Sequence, residues 1–398
     1  MIAIDTERFL RDLDTLRTIG SYRTGVHRPT FSPQDMESRR WLMNAMAAIG
    51  LHPTMDGIGN IIGRHGGPGP HLLVGSHIET QNHAGWLDGA LGVVAALALA
   101  RAGLPVDVGV YSDEEGHWGD FLGSRSLVGD VTDKEIDDAR NTGDGSPLRD
   151  ALTSAGLAGV PRLALEAERY KGALELHIEQ GTRLEALGFS IGVVSGIVGI
   201  RSWRVVFEGQ QDHTGGTTMQ ERRDAGLSAV RLLAAVDEAF PRVCGERTVW
   251  TTGRIVLEPN MPMIIPGRAE LMFSFRDLSD MVMDRLEDCL RGLVRESNRR
   301  ERCPATLEPI ARLMPTPCDD DVQSALAAAA ESLCPAHWQT MQSGAIHDSQ
   351  ILARKLPIGM LFVPSIGGIS HHWSEDTRRE DLVLGVQVLA QGAEHFLN

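Results

Sequence analysis

The chain has 398 residues, of which 42% are hydrophobic and 23% charged, an ordinary globular composition with length enough for two domains that each bury a core. Its net charge of −15 argues against nucleic acid or an anionic membrane as partner. The opening "MIAIDTERFLRDLDTLRTIG" carries acidic residues and no apolar core of signal-peptide length, and the longest aliphatic run, "VVAALALA", is too short to span a bilayer.

In chain order, "HLLVGSH" (71–77) reads as a buried strand delivering His77, and "DGALGVVAALALARAG" as an apolar helix opened by Asp88. "VDVGVYSDEEG" is a second strand, ending in Asp113, Glu114 and Glu115, and after a Gly-rich connection "GALELHIEQG" is a third, ending in His177 and Glu179. Such alternation predicts a mostly parallel sheet flanked by helices, in which sites form at the carboxyl ends of strands. From about residue 200 the pattern changes. "SWRVVFEGQ", "RTVWTTGRIVL", "RAELMFSFRDL" and "ATLEPIARL" read as strands, with "RRDAGLSAVRLLAAVDEAF" and "DMVMDRLEDCLRGLVRESNRR" as helices. This is the β-α-β-β-α-β order of a ferredoxin-like unit. The arginines of "RGLVRESNRRER" suit the C-terminal end of the second helix through its dipole. A helix from "DDVQSALAAAAESL", the strand "GMLFVPS" and a final helix from Arg379 resume the first style. The expected architecture is α/β: a catalytic domain over 1–199 and 313–398, interrupted by an inserted domain over 200–312.

The segment "GSHIETQNHAGWLDG" places His77, Glu79, His83 and Asp88 within a short span. Taken alone it is as well read as a polar loop with an N-capping Asp. The other strand ends change the balance, because His77, Asp88, Glu114, Glu115, His177 and His371 together form a sulfur-free set of imidazoles and carboxylates. That set suits zinc, manganese or a similar divalent ion in a hydrolytic site. Of two adjacent acids, one can bind metal while the other takes a proton from water, and a bridging carboxylate can hold two ions about 3.5–4 Å apart. The five cysteines, Cys244, Cys289, Cys303, Cys318 and Cys334, are scattered without a CxxC pair. They predict reduced thiols in a cytoplasmic protein, with neither disulfides nor a thiolate zinc site.

These stretches, with "WLDGALGV", "LGSRSLVG", "IGVVSGIVGI", "TTMQERRDA", "IIPGRAEL", "SGAIHDSQ" and "VPSIGGISHHWSED", resemble the M20 metallopeptidase family in its amidase/hydantoinase/carbamoylase branch. The branch includes N-carbamoyl-L-amino-acid hydrolases and allantoate amidohydrolases. The resemblance runs from about residue 10 to the C-terminus. It implies a zinc-peptidase-like catalytic domain, a dimerisation or lid insertion, and two divalent ions per subunit (zinc or manganese, with cobalt or nickel as substitutes). His77 and His177 would bind one ion, Glu115 and His371 the other, with Asp88 bridging and Glu114 as general base and acid. His213 of the insertion would cross a homodimer interface to stabilise the oxyanion, and Arg276 would grip a substrate carboxylate. Gln180, His347, Asn260 and Met263 would line the substrate.

Several positions depart from the family pattern. Glu79 replaces an Asp that orients the metal histidine, and Met263 replaces a hydrogen-bonding Asn. Gly216 and Thr218 stand for Thr and Pro, and His372 for Asn, with no role assigned to it. His83, Trp86, His117 and Trp118 crowd the loops beside the ligands, either as packing or as a pocket for a planar substrate. The implied activity is hydrolysis of a non-peptide C–N bond in an N-carbamoyl or ureido substrate. An aromatic or N-acyl amide or amine is the alternative substrate. A non-hydrolytic metal-containing binding protein is the reading from another class, and it gives no reason to keep Glu114 beside Glu115.

Overall fold

The computed structural model describes residues 2–398. They form two compact units, one running to Ser195 and resuming over Cys318–Asn398, the other spanning Gly196–Pro317. The insertion is slightly wider than the expected 200–312.

In the first unit four parallel strands form the centre of the sheet, in the spatial order Ile358–Val363, Tyr170–Ile178, His71–His77, Val106–Tyr111. Every residue of His71–His77 and Val106–Tyr111 is buried, as parallel strands covered on both faces require. Antiparallel strands widen the sheet on both flanks. Ile191–Ile197 pairs with Ile358–Val363 and in turn with Trp338–Ser343. On the far side Ile61–Arg64 pairs with Val106–Tyr111, and His52–Met55 lies beyond it. The helix Ala90–Arg101 is buried from Ala90 to Ala100 and packs on the His71–His77 and Val106–Tyr111 strands. It is apolar all round because other helices, Thr6–Thr18 and Arg379–Leu397, cover it in turn. Among the described residues no helix is long and apolar enough to cross a membrane.

The chain leaves His71–His77 for the strand on one side, then returns to the strand on the other. The order reverses between His71–His77 and Tyr170–Ile178, and the crevice beyond such a reversal is where open α/β sheets bind ligands. His77 and His177 lie at the ends of those two strands.

The second unit is an antiparallel sheet in the order Val249–Glu258, Arg268–Asp277, Gly199–Glu208, Ala305–Leu313, the ferredoxin-like arrangement. Helix Asp280–Arg300 buries Val282, Met283, Leu286, Leu290 and Val294, a stripe at helical spacing. These side chains and Phe240 of the next turn after helix Ala225–Ala239 meet Phe273 and Phe275, alternate residues of one strand.

One close approach fixes the centre of the first unit. Gly75 is paired with Gly109, and a Cβ at Gly75 would stand 1.8 Å from the Gly109 carbonyl oxygen. Gly75→Ala should therefore cost about 3 kcal/mol, the upper range for overpacking a filled core. The urea unfolding midpoint checks this, and a midpoint equal to wild type would refute it.

Candidate active site

The helix expected to open at Asp88 begins at Ala90, with Gly89 preceding it at φ 66° and no side-chain cap. A Cβ on Gly89 would sit 2.4 Å from the His77 imidazole, so the backbone passes the ring at a distance only glycine allows. Asp88 is thereby freed from capping and turned to the imidazoles. Its Oδ1 lies 3.1 Å from His177 Nε2 and 3.7 Å from His77 Nε2, and its Oδ2 lies 3.2 Å from His371 Nε2. His371 Nε2 is in turn 3.6 Å from Glu115 Oε2. His77, Asp88 and His177 thus form one potential ligand group and Asp88, Glu115 and His371 another, the ligand atoms of each within 4.8 Å of one another.

The donor chemistry fits a divalent ion in each group. His77 Nδ1 is 3.0 Å from the Glu79 carbonyl oxygen and His177 Nδ1 is 2.9 Å from that of Ile178. Carbonyls only accept, so both Nδ1 atoms donate, and each Nε2 is the atom presented to Asp88. His177 Nε2 also accepts the Gly89 N–H at 3.2 Å. A bare imidazole nitrogen facing a carboxylate oxygen is two acceptors in opposition, and a cation between them resolves it.

Glu114 belongs to neither group. Its Oε2 stands 3.8 Å from His77 Nε2, and burial pushes its carboxyl well above the ordinary value. Glu115 is split: Oε1 accepts the Gln81 N–H at 3.0 Å, leaving Oε2 for His371. The turn carrying both acids is held by Asp113, at φ 59°, which accepts from the backbones of His117, Trp118 and Gly119 and from Thr30 Oγ1.

Glu79 does not do what an Asp there would. Its carboxylate is 3.9 Å from His77 Nδ1, and the Glu79 backbone carbonyl holds the ring instead. The extra methylene carries the carboxylate onward to Arg39 (3.0 Å) and to the Glu114 N–H (2.8 Å). Gln180 donates to Asp88 Oδ2 and to Ser370 Oγ, both at 3.1 Å, so its amide holds the shared carboxylate. His347 is buried edge-on against the His177 ring, with centroids 4.7 Å apart and Nε2 2.9 Å from Ser343 Oγ. Glu175 could complete a group with His177 and His347, but Ser76 and Ser349 already donate to its two oxygens at 2.6 Å each.

Trp86 is in the core beneath Arg17 and Arg379, and Trp118 packs on Phe31, which settles both as packing. Glu375 and Ser370 are site residues that the sequence did not announce. Glu375 is buried, accepts the Leu87 and Asp88 N–H groups at 3.1 Å each, and accepts from Ser370 Oγ at 3.0 Å. Burial and the Asp88 charge push its carboxyl up to about 8. Gly85 makes room for it, since a Cβ there would fall 1.9 Å from the carboxyl carbon.

In the second unit His213 pairs with Ile264 in a short antiparallel contact, and Thr214 Oγ1 donates to the Met263 carbonyl at 3.2 Å, so His213 and Met263 share one edge. His213 Nδ1 accepts from Gly215 N–H at 3.1 Å and Gly216 N–H at 3.0 Å, which puts the proton on its Nε2. Met263 is 70% exposed, and Asn260 is exposed at φ 57°. Arg276 is half-buried on the Arg268–Asp277 strand, opposite Ile200 and Val249.

Residues 80–395 match the family described as Peptidase family M20/M25/M40. This chain belongs to that family. Among curated M20 relatives, an N-carbamoyl-L-amino-acid amidohydrolase of Paenarthrobacter aurescens is 33% identical over 398 residues, covering 96% of each chain. An allantoate amidohydrolase of Escherichia coli is 34% identical over 389 residues, covering 92% of each. Among solved structures, an amidase of the hydantoinase/carbamoylase family from Burkholderia phymatum has a TM-score of 0.90 at 45% identity, over 99% of this M20 chain and 98% of that one.

The Asp88–His371 pair yields a pH test. The hydrogen bond to Asp88 raises the His371 imidazole to about 9 in the metal-free protein. A raised folded value means the pair's stabilisation is complete below the unfolded value of about 6.5 and is lost as pH rises through about 9. In chelator, the difference in melting temperature between wild type and His371→Ala should shrink from pH 6 to pH 10. A difference that is constant or grows with pH would contradict the pairing.

Proposed function

We propose that the chain is a divalent-metal-dependent hydrolase of non-peptide C–N bonds, acting on an N-carbamoyl or ureido derivative of a small carboxylate-bearing molecule. The observation that carries the reading is the division of labour around Asp88: one carboxylate shared by three imidazoles, with Glu114 beside it and outside both ligand groups. The relatives named as N-carbamoyl-L-amino-acid and allantoate amidohydrolases support the bond type and the substrate class. A binding protein without hydrolytic activity would have no use for the free Glu114.

His77 and His177 would hold one ion and Glu115 and His371 the other, with Asp88 between them and zinc or manganese the best matches to this donor set. When bound, such ions acidify water and polarise the scissile carbonyl. Glu114 takes the proton of the attacking water and returns it to the leaving nitrogen. Its raised pKa suits both halves of that task near neutral pH. His213, with its proton on Nε2, is a donor for the developing oxyanion. We assign it to the site of a partner subunit, in a homodimer. The planar fork of Arg276 suits the substrate carboxylate. Gln180 is read as a positioning residue for Asp88, and His347 as support for the His177 ring. The scattered free cysteines support a cytoplasmic setting.

Glu114→Gln should keep its metal and lose at least about 10²-fold in kcat, the scale of a general acid–base contribution. Glu115→Gln should lose metal. Metal analysis beside steady-state kinetics checks the pair, and the opposite pattern would exchange their roles. For the dimer, mixing inactive His213→Ala with inactive Glu114→Gln subunits should restore up to about a quarter of wild-type activity, through hybrids with one intact site. No recovery despite demonstrated subunit exchange would place His213 outside the partner's site.

A further inference from the structure

Ser21–Tyr22 and Gly25–Val26 pair antiparallel around the two-residue turn Arg23–Thr24. Arg23 has φ 53° and His83 has φ 55°, both in the left-handed region. The first position of such a turn favours glycine, and left-handed backbone is uphill for long side chains. Non-glycine residues held this way cluster where a side chain is used.

The two residues are fastened together. Val26 N–H donates to the Ala84 carbonyl at 3.0 Å, and Ala84 N–H to that of Val26 at 2.9 Å. The His83 ring meets Tyr22 with centroids 4.2 Å apart and stacks on His27 at 4.3 Å with the planes 20° apart. His83 N–H donates to His27 Nδ1 at 3.2 Å. Burial, with the charges of His83 and His117, holds His27 below the usual imidazole value, so the stack is free of mutual charge repulsion at neutral pH. The Arg23 guanidinium lies 4.7 Å from the Trp373 ring centroid and 5.6 Å from that of Tyr22, and Thr24 Oγ1 donates to the Trp373 carbonyl at 2.7 Å. Arg23 and His83 remain exposed.

Both ends of this assembly reach the metal-binding loops. Gln81, two residues before His83, donates to Glu115, and Trp373 follows His371 by two residues. A guanidinium and an imidazole edge held side by side on rigid rings are donors without an acceptor, in a chain whose net charge is −15. We propose that Arg23 and His83 form a subsite for an anionic side group, so that the preferred substrate carries a second carboxylate besides the one assigned to Arg276. This rests on the hydrolase reading above. A carboxylate can accept charge-assisted hydrogen bonds from both groups at once.

The test compares metal-loaded wild type, Arg23→Gly and His83→Gly on the N-carbamoyl derivatives of aspartate, asparagine, leucine and phenylalanine. Wild type should prefer the aspartate derivative to its neutral asparagine isostere by at least about tenfold in kcat/KM, the scale of one charge-assisted hydrogen bond. Each variant should lose at least about tenfold more on the aspartate derivative than on the others, chiefly through KM. Both should melt at or above the wild-type temperature, because glycine accepts the left-handed backbone. Unchanged selectivity, or an equal loss on all four substrates, overturns the subsite. A loss confined to the phenylalanine derivative replaces an anion subsite by a stacking one and also overturns it. Wild type inactive on the whole panel would instead mark failure of the hydrolase reading. The subsite is then judged by calorimetry, where wild type must bind the aspartate derivative more tightly than the asparagine one and His83→Gly must not.

Discussion

A carboxylate as deeply buried as Asp88 cannot stay ionised in isolation, because desolvation favours the neutral acid. What keeps it ionised is contact with His177, His371 and His77, which outweighs burial and holds its pKa well below the ordinary range. The loops around it add Glu79, Asp113, Glu114, Glu115 and Glu375, all largely buried. Neighbouring acids at that density repel one another, and the fold answers with backbone N–H groups aimed at carboxylate oxygens. Glu375 takes two, Asp113 takes three, and Glu79 and Glu115 take one each. Arg39, fully buried between Asp35 and Glu79, supplies the nearest fixed positive charge. The remaining deficit of positive charge lies where the Nε2 atoms converge, and this gives the pocket its appetite for a cation.

Backbone strain follows the same geography. Asp113, Gln180 and His371 are non-glycine residues at positive φ, and Gly89 adds a fourth such position beside His77. Each stands in a loop leaving a central strand or entering the helix after it. A side chain that must turn back over the strand end toward one point needs such a reversal, and the hydrogen bonds at each position hold it there.

Much of this was legible in sequence because the two signals coincide. Uninterrupted apolar runs marked the central strands, and the ligand-type residues stood directly at their ends, so His77, Glu114, Glu115 and His177 could be placed without long-range contacts. The edge strands were less visible: His52–Met55 is short and half-exposed, and Trp338–Ser343 is polar in sequence. Glu375 escaped because its partners, Leu87 and Asp88, lie nearly three hundred residues earlier in the chain, as the separations of 288 and 287 show. The loop tryptophans misled in the other direction, since nothing local distinguishes a ring in a pocket from Trp86 packed into the core.

Glu79 shows why a substitution in a motif has to be followed into its contacts. Judged by residue type, the longer acid should loosen the imidazole that an Asp would orient. In place, the His77 ring is held by the main chain of residue 79, a bond that no side-chain change at that position removes. The Glu79 carboxylate is free to connect Arg39 to the Glu114 N–H. One oxygen therefore meets the cation and the other meets the backbone of the proposed proton carrier, so the position of Glu114 depends on the Arg39 ion pair. What the extra methylene alters is the footing of the acid–base residue, while the footing of the metal ligand stays with the peptide backbone.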